Sequence, residues 1–247
     1  MDDEIIDVHT HIGKCNVFDL FSSSAELLES QRANHVSRTI IQPFPGAPDP
    51  KKVHDEIANL SKELPGQVYG IVSLNPHIDH DTWISETERL VRDEGFVGIK
   101  IHTIGHAVNP LGNDALMVFE TAKRLGVPVM IHTGPGIPFS LPSLVLPRAR
   151  QFPDIPIVLA HAGWGILVGE AIVASSLEKN LFVEPSHVAV VDKLGLLANL
   201  GADRILLGSD LPSNLSNEIN QIKSISDSDK SMKKMLGGNA KRIFKLS

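Results

Sequence analysis

The feature that most restricts the fold of this chain is its rhythm. Short runs rich in β-branched residues alternate with longer segments of helical periodicity along the whole 247 residues. Strands are predicted at Ile5–His11, Arg38–Phe44, Val68–Leu74, Val97–Thr103, Pro128–Thr133, Pro156–His161, Leu181–Pro185 and Arg204–Ser209. Between them fall helices at Ser24–His35, Lys51–Glu63, Thr82–Asp93, Asp114–Leu125, Leu144–Gln151, Ile166–Lys179 and Val190–Leu200, with a final pair at Asn217–Ile225 and Asp229–Phe244. Ser23 and Asn113 are placed to cap helix starts, and Gly95, Gly126 and Gly201 follow helix ends. Eight βα units in this length predict an α/β fold, a (β/α)8 TIM barrel with few insertions, residues 1–247 forming a single domain. An open doubly wound sheet is the alternative. It lacks support: no Gly-x-Gly-x-x-Gly opens the first helix, and Gly134-Pro135-Gly136 begins a proline-rich segment that reads as an active-site loop.

Charge and cysteine content remove whole classes of partner. With 23 Lys+Arg against 29 Asp+Glu the net charge is −6, and no basic block is present, so neither nucleic acid nor an anionic membrane surface is an expected partner. Cys15 is the single cysteine, which excludes an internal disulfide framework and suits a reducing, cytoplasmic location. The N-terminus (Asp2, Asp3, Glu4) lacks the basic and apolar regions of a signal peptide. Ile155–Ala174, the most apolar long stretch, contains His161 and Glu170 and reads as a buried strand running into a helix. That helix could pack on the barrel or on a second subunit, so a homodimer is an expectation.

Chemistry concentrates where the predicted strands end. The first closes on His9 and His11, which share a face in an extended strand. The fourth ends with Lys100 and His102, the fifth with His132, the sixth with His161, and the eighth with Asp210. Five of the 11 histidines lie at these strand ends, where a barrel gathers its catalytic groups. Imidazoles and a carboxylate converging from several strands make a first shell for zinc or a similar divalent ion. Each residue also has a plainer reading: His132 and His161 as buried, hydrogen-bonded histidines, Asp210 as a loop cap.

Five segments carry a family resemblance: Asp7-Val8-His9-Thr10-His11, Val97-Gly98-Ile99-Lys100, Pro128–Gly134, Val158–Gly163 and Leu207–Pro212, with the terminal Gly238–Phe244 as a sixth. In these the sequence resembles the amidohydrolase superfamily, and within it the metal-dependent hydrolases similar to aminocarboxymuconate-semialdehyde decarboxylase. The resemblance implies that His9, His11, His132 and Asp210 bind one divalent ion, with zinc the first choice. It further implies that Asp210 and His161 handle the proton of a metal-activated water, His161 being a general base, an orienting group or a ligand to a second metal. Lys100 stands where binuclear members carry a carboxylated, metal-bridging lysine. One metal per chain is favoured over two, with Lys100 an unmodified amine that meets substrate.

His102, Trp164, Glu184 and His187 are expected to contact a small-molecule substrate, Glu184 having hydrogen-bonded structural acid as its alternative. His106 and Asn75 are further candidates for pocket walls. Cys15 could approach the pocket. Arg148 reads as a helix-surface charge, with a grip on a substrate carboxylate as the alternative, and His35, His54, His77 and His80 read as surface residues. The functional expectation is hydrolysis of an amide, lactone or ester, tilted that way by the compactness of the chain. Non-oxidative decarboxylation of an aromatic or unsaturated acid and metal binding without turnover are the alternatives.

Overall fold

A computed structural model describes residues 4–247; Asp2 and Asp3 lie outside the described residues. The strands are β1 (Ile6–Cys15), β2 (Leu20–Ser22), β3 (Arg38–Pro43), β4 (Val68–Gly70), β5 (Ile99–Ile101), β6 (Val129–His132), β7 (Ile157–Ala160) and β8 (Leu181–Glu184). The helices are α1 (Ser24–Ala33), α2 (Pro50–Glu63), α3 (His80–Glu88), α4 (Asn113–Leu125), α5 (Leu146–Gln151), α6 (Val168–Leu177), α7 (Val190–Leu200), α8 (Leu215–Ile225), α9 (Asp229–Lys233) and α10 (Asn239–Phe244). Among the described residues no helix is long and apolar enough to cross a membrane.

Parallel pairing runs β1-β3-β4 and β5-β6-β7-β8. Single bridges join the two sheets into a ring. Val72 pairs with Ile99 on one side; on the other, residues 204–210 form the eighth stave, bridged to β8 at Val183–Ile205 and to β1 at Thr10–Asp210. Backbone N–H groups of Val8 and Leu206 donate to the carbonyls of Leu207 (3.0 Å) and Val183 (2.9 Å), so the stave is bonded on both flanks without being a continuous strand. The barrel predicted from the βα rhythm is the fold observed.

Alternation along the staves sorts two cores. Ile6, Val8, Ile40, Met130, Val158, Phe182 and Leu206 fill the barrel interior, plugged at its N-terminal end by Ile243 and Phe244 of α10. Their neighbours, such as Ile99, Ile101, Val129, Ile131, Ile157 and Leu159, face the helices. Close approach of strand to helix layer needs Gly70: a Cβ there would lie 2.4 Å from the Phe96 ring. Gly70→Ala is therefore expected to cost about 1–3 kcal/mol by overpacking and to lower Tm by several degrees in a thermal melt.

Departures from the predicted elements are local. β1 runs past His11 to Cys15 and folds back on β2 as an antiparallel hairpin that carries Phe18, Leu20 and Phe21 on the outside. Cys15 is fully buried in that hairpin. The predicted helix 229–244 is divided by a π-helical turn at Lys234–Gly238, and the predicted helix 82–93 ends in another at Arg89–Asp93. In the apolar Ile166–Ala174 segment, Val168, Ala171 and Ala174 pack inward while Ile166 and Val173 face out.

Two residues read as surface groups are buried. His54 of α2 is fully covered and its Nε2 accepts the Ser73 N–H at 3.0 Å. Burial, the dominant influence, pulls its pKa down to about 4. The unfolded ring protonates near 6.5, so between 6.5 and 4 the unfolded state binds more protons and stability falls as pH falls. His54 alone accounts for about 3 kcal/mol over that window, and His54→Gln is expected to flatten the decline in Tm between pH 7 and 4.5. Arg148 of α5, in turn, is a buried pin. Its guanidinium donates to the carbonyls of Pro110, Leu111 and Gly112 at 2.9–3.0 Å and fixes the start of α4.

Candidate metal centre and active site

The C-terminal ends of the staves carry a cavity of about 530 Å³ whose floor is His11, His102, His132, His161 and Asp210. A break in strand regularity aims its first two histidines. The β1–β3 register shifts between Asp7 and Thr10, and the extra residue reverses the alternation: Ile6 and Val8 point into the barrel below it, while Ile12 points to the helices above it. His9 and His11 thus turn inward. Asp7, facing the other way, accepts the Ser209 N–H (3.0 Å) and Oγ–H (2.6 Å) and closes the seam between the first and last staves. Burial pushes its carboxyl up to about 7 against those hydrogen bonds.

Each imidazole is set by an acceptor behind it. His9 Nδ1 donates to Glu184 Oε2 at 2.6 Å, and His11 Nδ1 donates to the Pro43 carbonyl at 3.0 Å while its ring stacks on Phe44 at 4.8 Å. Both Nε2 atoms then present lone pairs, 3.3 Å apart, and Asp210 Oδ1 lies 3.4 Å from each. Lys100 Nζ (3.0 Å from His9 Nε2) and Gln42 Nε2 (3.3 Å from His11 Nε2) touch this triangle from its flanks. His161 follows the same logic through a longer chain. Ser186 Oγ donates to Glu184 Oε2 at 3.2 Å, so it accepts from His161 Nδ1 at 2.9 Å and leaves His161 Nε2 bare, 4.0 Å from Asp210 Oδ1.

Burial, with Lys100 next in weight, pushes the His9 pKa well below 6.5; burial takes His161 down to about 3. Burial would raise Asp210, but the surrounding imidazoles of His11, His187, His161 and His9 outweigh it and hold the carboxyl well below its ordinary range. His187 is held above its usual value by its 3.1 Å hydrogen bond to Asp210 Oδ2.

Four cavity residues adopt the left-handed backbone region without being glycine: His161 (φ 64°), Trp164 (φ 50°), His187 (φ 62°) and Asp210 (φ 63°). Such conformations cost about 1–3 kcal/mol each and persist where surrounding structure enforces them. For His187 the enforcement is visible. Its N–H donates to Glu218 Oε1 at 2.9 Å; Glu218 is fully buried, paired with Lys193, and also accepts from Asn214, whose amide donates to the Ser209 carbonyl at 3.0 Å. One carboxylate thereby ties the loops carrying His187 and Asp210 together.

The residues expected at the site divide accordingly. His9, His11 and Asp210 converge, and His9, His161 and Glu184 form an overlapping group of close ligand atoms. His132 faces the cavity with both ring nitrogens buried and without partners, stacked on His102 at 4.3 Å, but stands outside both close groups. His102 accepts the Gly105 N–H on Nδ1, leaving Nε2–H for the cavity. Trp164 and His187 line the cavity as a stacked pair, 5.6 Å between centroids. Glu184, for which substrate contact and hydrogen-bonded structural acid are the two readings, is fully buried behind His9 on its Nδ1 side, and Lys100 is buried on the flank of the triangle against His9 Nε2; neither lines the cavity. His106 is buried and hydrogen-bonded through its N–H to His102 O, Asn75 is exposed, and neither lines the cavity. Gln42, Phe44 and Ser186 went unanticipated; Gln42 follows Ile40 on the inward face of β3, the same apolar-then-polar strand ending that marks the histidines.

The model of the Amidohydro_2 family, described as amidohydrolase, matches residues 6–246. This chain belongs to the amidohydrolase family. Members of that family and its structural neighbours are enzymes, and so is this protein. Among solved structures, 5-carboxyvanillate decarboxylase from Sphingomonas paucimobilis aligns with TM-score 0.78 and 15% identity over 100% of both chains. Dihydroxybenzoic acid decarboxylase from Polaromonas sp. JS666, with bound manganese and the inhibitor 2-nitroresorcinol, gives 0.77 and 16% over 99% of this chain and 97% of that one. 4-Oxalomesaconate hydratase from Rhodopseudomonas palustris gives 0.68 and 18% over 98% and 96%. No curated protein sequence matches the chain. For an amidohydrolase, the triangle of His9, His11 and Asp210 is a group able to hold a metal ion.

Proposed function

We propose that this amidohydrolase is a metal-dependent hydrolase of a small-molecule ester, lactone or amide, working as a single barrel domain with one divalent ion. The observation that carries the proposal is the triangle of acceptors. Ligands ~2.0–2.1 Å from a tetrahedral ion stand ~3.3–3.4 Å apart, and the observed separations are 3.3, 3.4 and 3.4 Å. Zinc is the first candidate on this donor set, with manganese, the ion bound in a decarboxylase of the same fold, as the alternative. The unpartnered His132 nitrogens supply a further buried donor beside the triangle. An ion held there supplies Lewis acidity, acidifying water and polarising a carbonyl.

The chain's own groups then handle the proton. Burial makes His161 a weak base, and Asp210, between His161 and His187, offsets this by orienting the water and facing the imidazolium that forms when His161 Nε2, left bare by the Ser186–Glu184 chain behind it, takes the water's proton. His102 Nε2–H is aimed to donate to an oxygen of the bound substrate.

Decarboxylation is the second reading, supported by two solved decarboxylases of the same fold. The chain's compactness does not argue against it, because the decarboxylase from S. paucimobilis aligns over its whole length. The bare His161 Nε2 favours hydrolysis, which needs a proton acceptor first, whereas decarboxylation needs a donor to carbon. The test is a panel of lactones, esters, amides and aromatic acids presented to metal-loaded protein. Acid release supports hydrolysis. CO2 release from an acid overturns it, and a fully metallated protein inert on the whole panel is a binding barrel.

A further inference from the structure

The geometry points to a substrate that carries no charge away from its reacting group. This deepens the hydrolase reading and rests on it only for where the reacting group sits. Above the histidine and aspartate floor the cavity wall is apolar: Phe18 and Leu20 from the β1–β2 hairpin, Phe44, Ile104, Trp164 and Leu211. Among its lining residues there is no lysine, arginine, serine, threonine, asparagine or glutamine.

The cations that come nearest are committed elsewhere. His187, in the lining itself, gives its Nε2–H to Asp210 Oδ2 at 3.1 Å; Lys100 is 1% exposed and lies against His9 Nε2, and Arg148 is held by three loop carbonyls. A carboxylate or phosphate on the non-reacting arm of a substrate would give up water and meet ring faces, a penalty that such desolvation makes large. An apolar arm meets stacked rings, Trp164 on His187 and Phe44 on His11, in a cavity whose 530 Å³ falls within the range of small-molecule sites. Aryl or branched alkyl acyl compounds fit; dicarboxylic and phosphorylated ones do not.

Trp164 makes this measurable without turnover. It is 42% exposed in the wall, whereas Trp83, the second tryptophan, is 1% exposed in the core. Quenching of tryptophan fluorescence by benzohydroxamic acid and its 3-methyl and 3-carboxy derivatives, whose chelating head holds a divalent ion more tightly than a carboxylate and so fixes the orientation, reads affinity in metal-loaded protein, and Trp164→Phe verifies the origin of the signal. The methyl group is expected to tighten binding ~3-fold, and the carboxylate to weaken it at least ~10-fold relative to the unsubstituted compound. A smaller penalty for the carboxylate, or no gain from the methyl group, overturns the assignment. Phe18 is 50% exposed, so Phe18→Arg places a cation in the wall without emptying the core. In that variant the 3-carboxy compound is expected to bind at least as tightly as the unsubstituted one, and an unchanged order of affinities would count against the wall as the source of selectivity. Failure of the hydrolytic reaction leaves these rankings intact, so the two readings fail separately.

Discussion

Asp210→Asn should lower turnover by about 10²–10⁴-fold and weaken divalent metal binding, while leaving the barrel folded. The carboxylate faces two ring nitrogens at 3.4 Å with one oxygen and accepts from His187 at 3.1 Å with the other. An amide has the same shape but one acceptor. Either the metal face or the His187 contact then meets an N–H, and the negative charge that balances the ion is gone. Metal content by mass spectrometry, circular dichroism and turnover measured on the same preparation separate these effects. Full activity and full metal content in the variant would remove Asp210 from the centre.

The second large effect comes from behind the site. Glu184→Gln is expected to lower metal affinity or activity by about 10–100-fold, the usual consequence of losing a group that orients a metal-binding histidine. Glu184 takes the His9 Nδ1–H on one oxygen and the Ser186 N–H on the other, both at 2.6 Å. Glutamine can accept only one of them. Gly208 offers an independent route to the same result: a Cβ there would lie 2.6–2.7 Å from the Glu184 side chain. Gly208→Ala should therefore reproduce the weaker metal affinity through displacement of Glu184, although residue 208 itself touches nothing in the cavity. A metal titration that finds both variants equal to the parent would show that His9 needs no such support.

The parts of this site that could be read from sequence are those written in strand periodicity. An inward stave that ends in a polar residue is visible at His11, His132 and Asp210, and would have been visible at Gln42. Glu184 and Lys100 carry the same signal, and periodicity cannot choose between their alternative readings: alternation tells which residues point into a barrel but not which side chain stands in front, and Glu184 lies behind His9 Nδ1 whereas Lys100 reaches His9 Nε2 at the edge of the triangle. The left-handed backbone at His161, Trp164, His187 and Asp210 had no signal, because glycine, the residue that marks that conformation, is absent from all four positions. His54 was legible in principle. It lies on the α2 stripe with Val53, Ile57 and Ala58, and a polar residue on a buried stripe is a buried residue. Arg148 was not legible, since its partners lie 36–38 residues away in a loop with no periodic pattern.

The seam between the first and last staves has a consequence for the order of events during folding. His9 and Glu184 are separated by 175 residues, and Asp7 and Ser209 by 202. Contacts of such separation form late, after the loop entropy of nearly the whole chain has been overcome. The centre is thus assembled only when the barrel shuts. A chain emerging from the ribosome without its final stave would lack Asp210 and both ties through Ser209, so metal capture should mark completed folding and hold the closed state by mass action. In refolding from denaturant, uptake of the ion is expected to lag the recovery of helical circular dichroism and to coincide with the slowest phase.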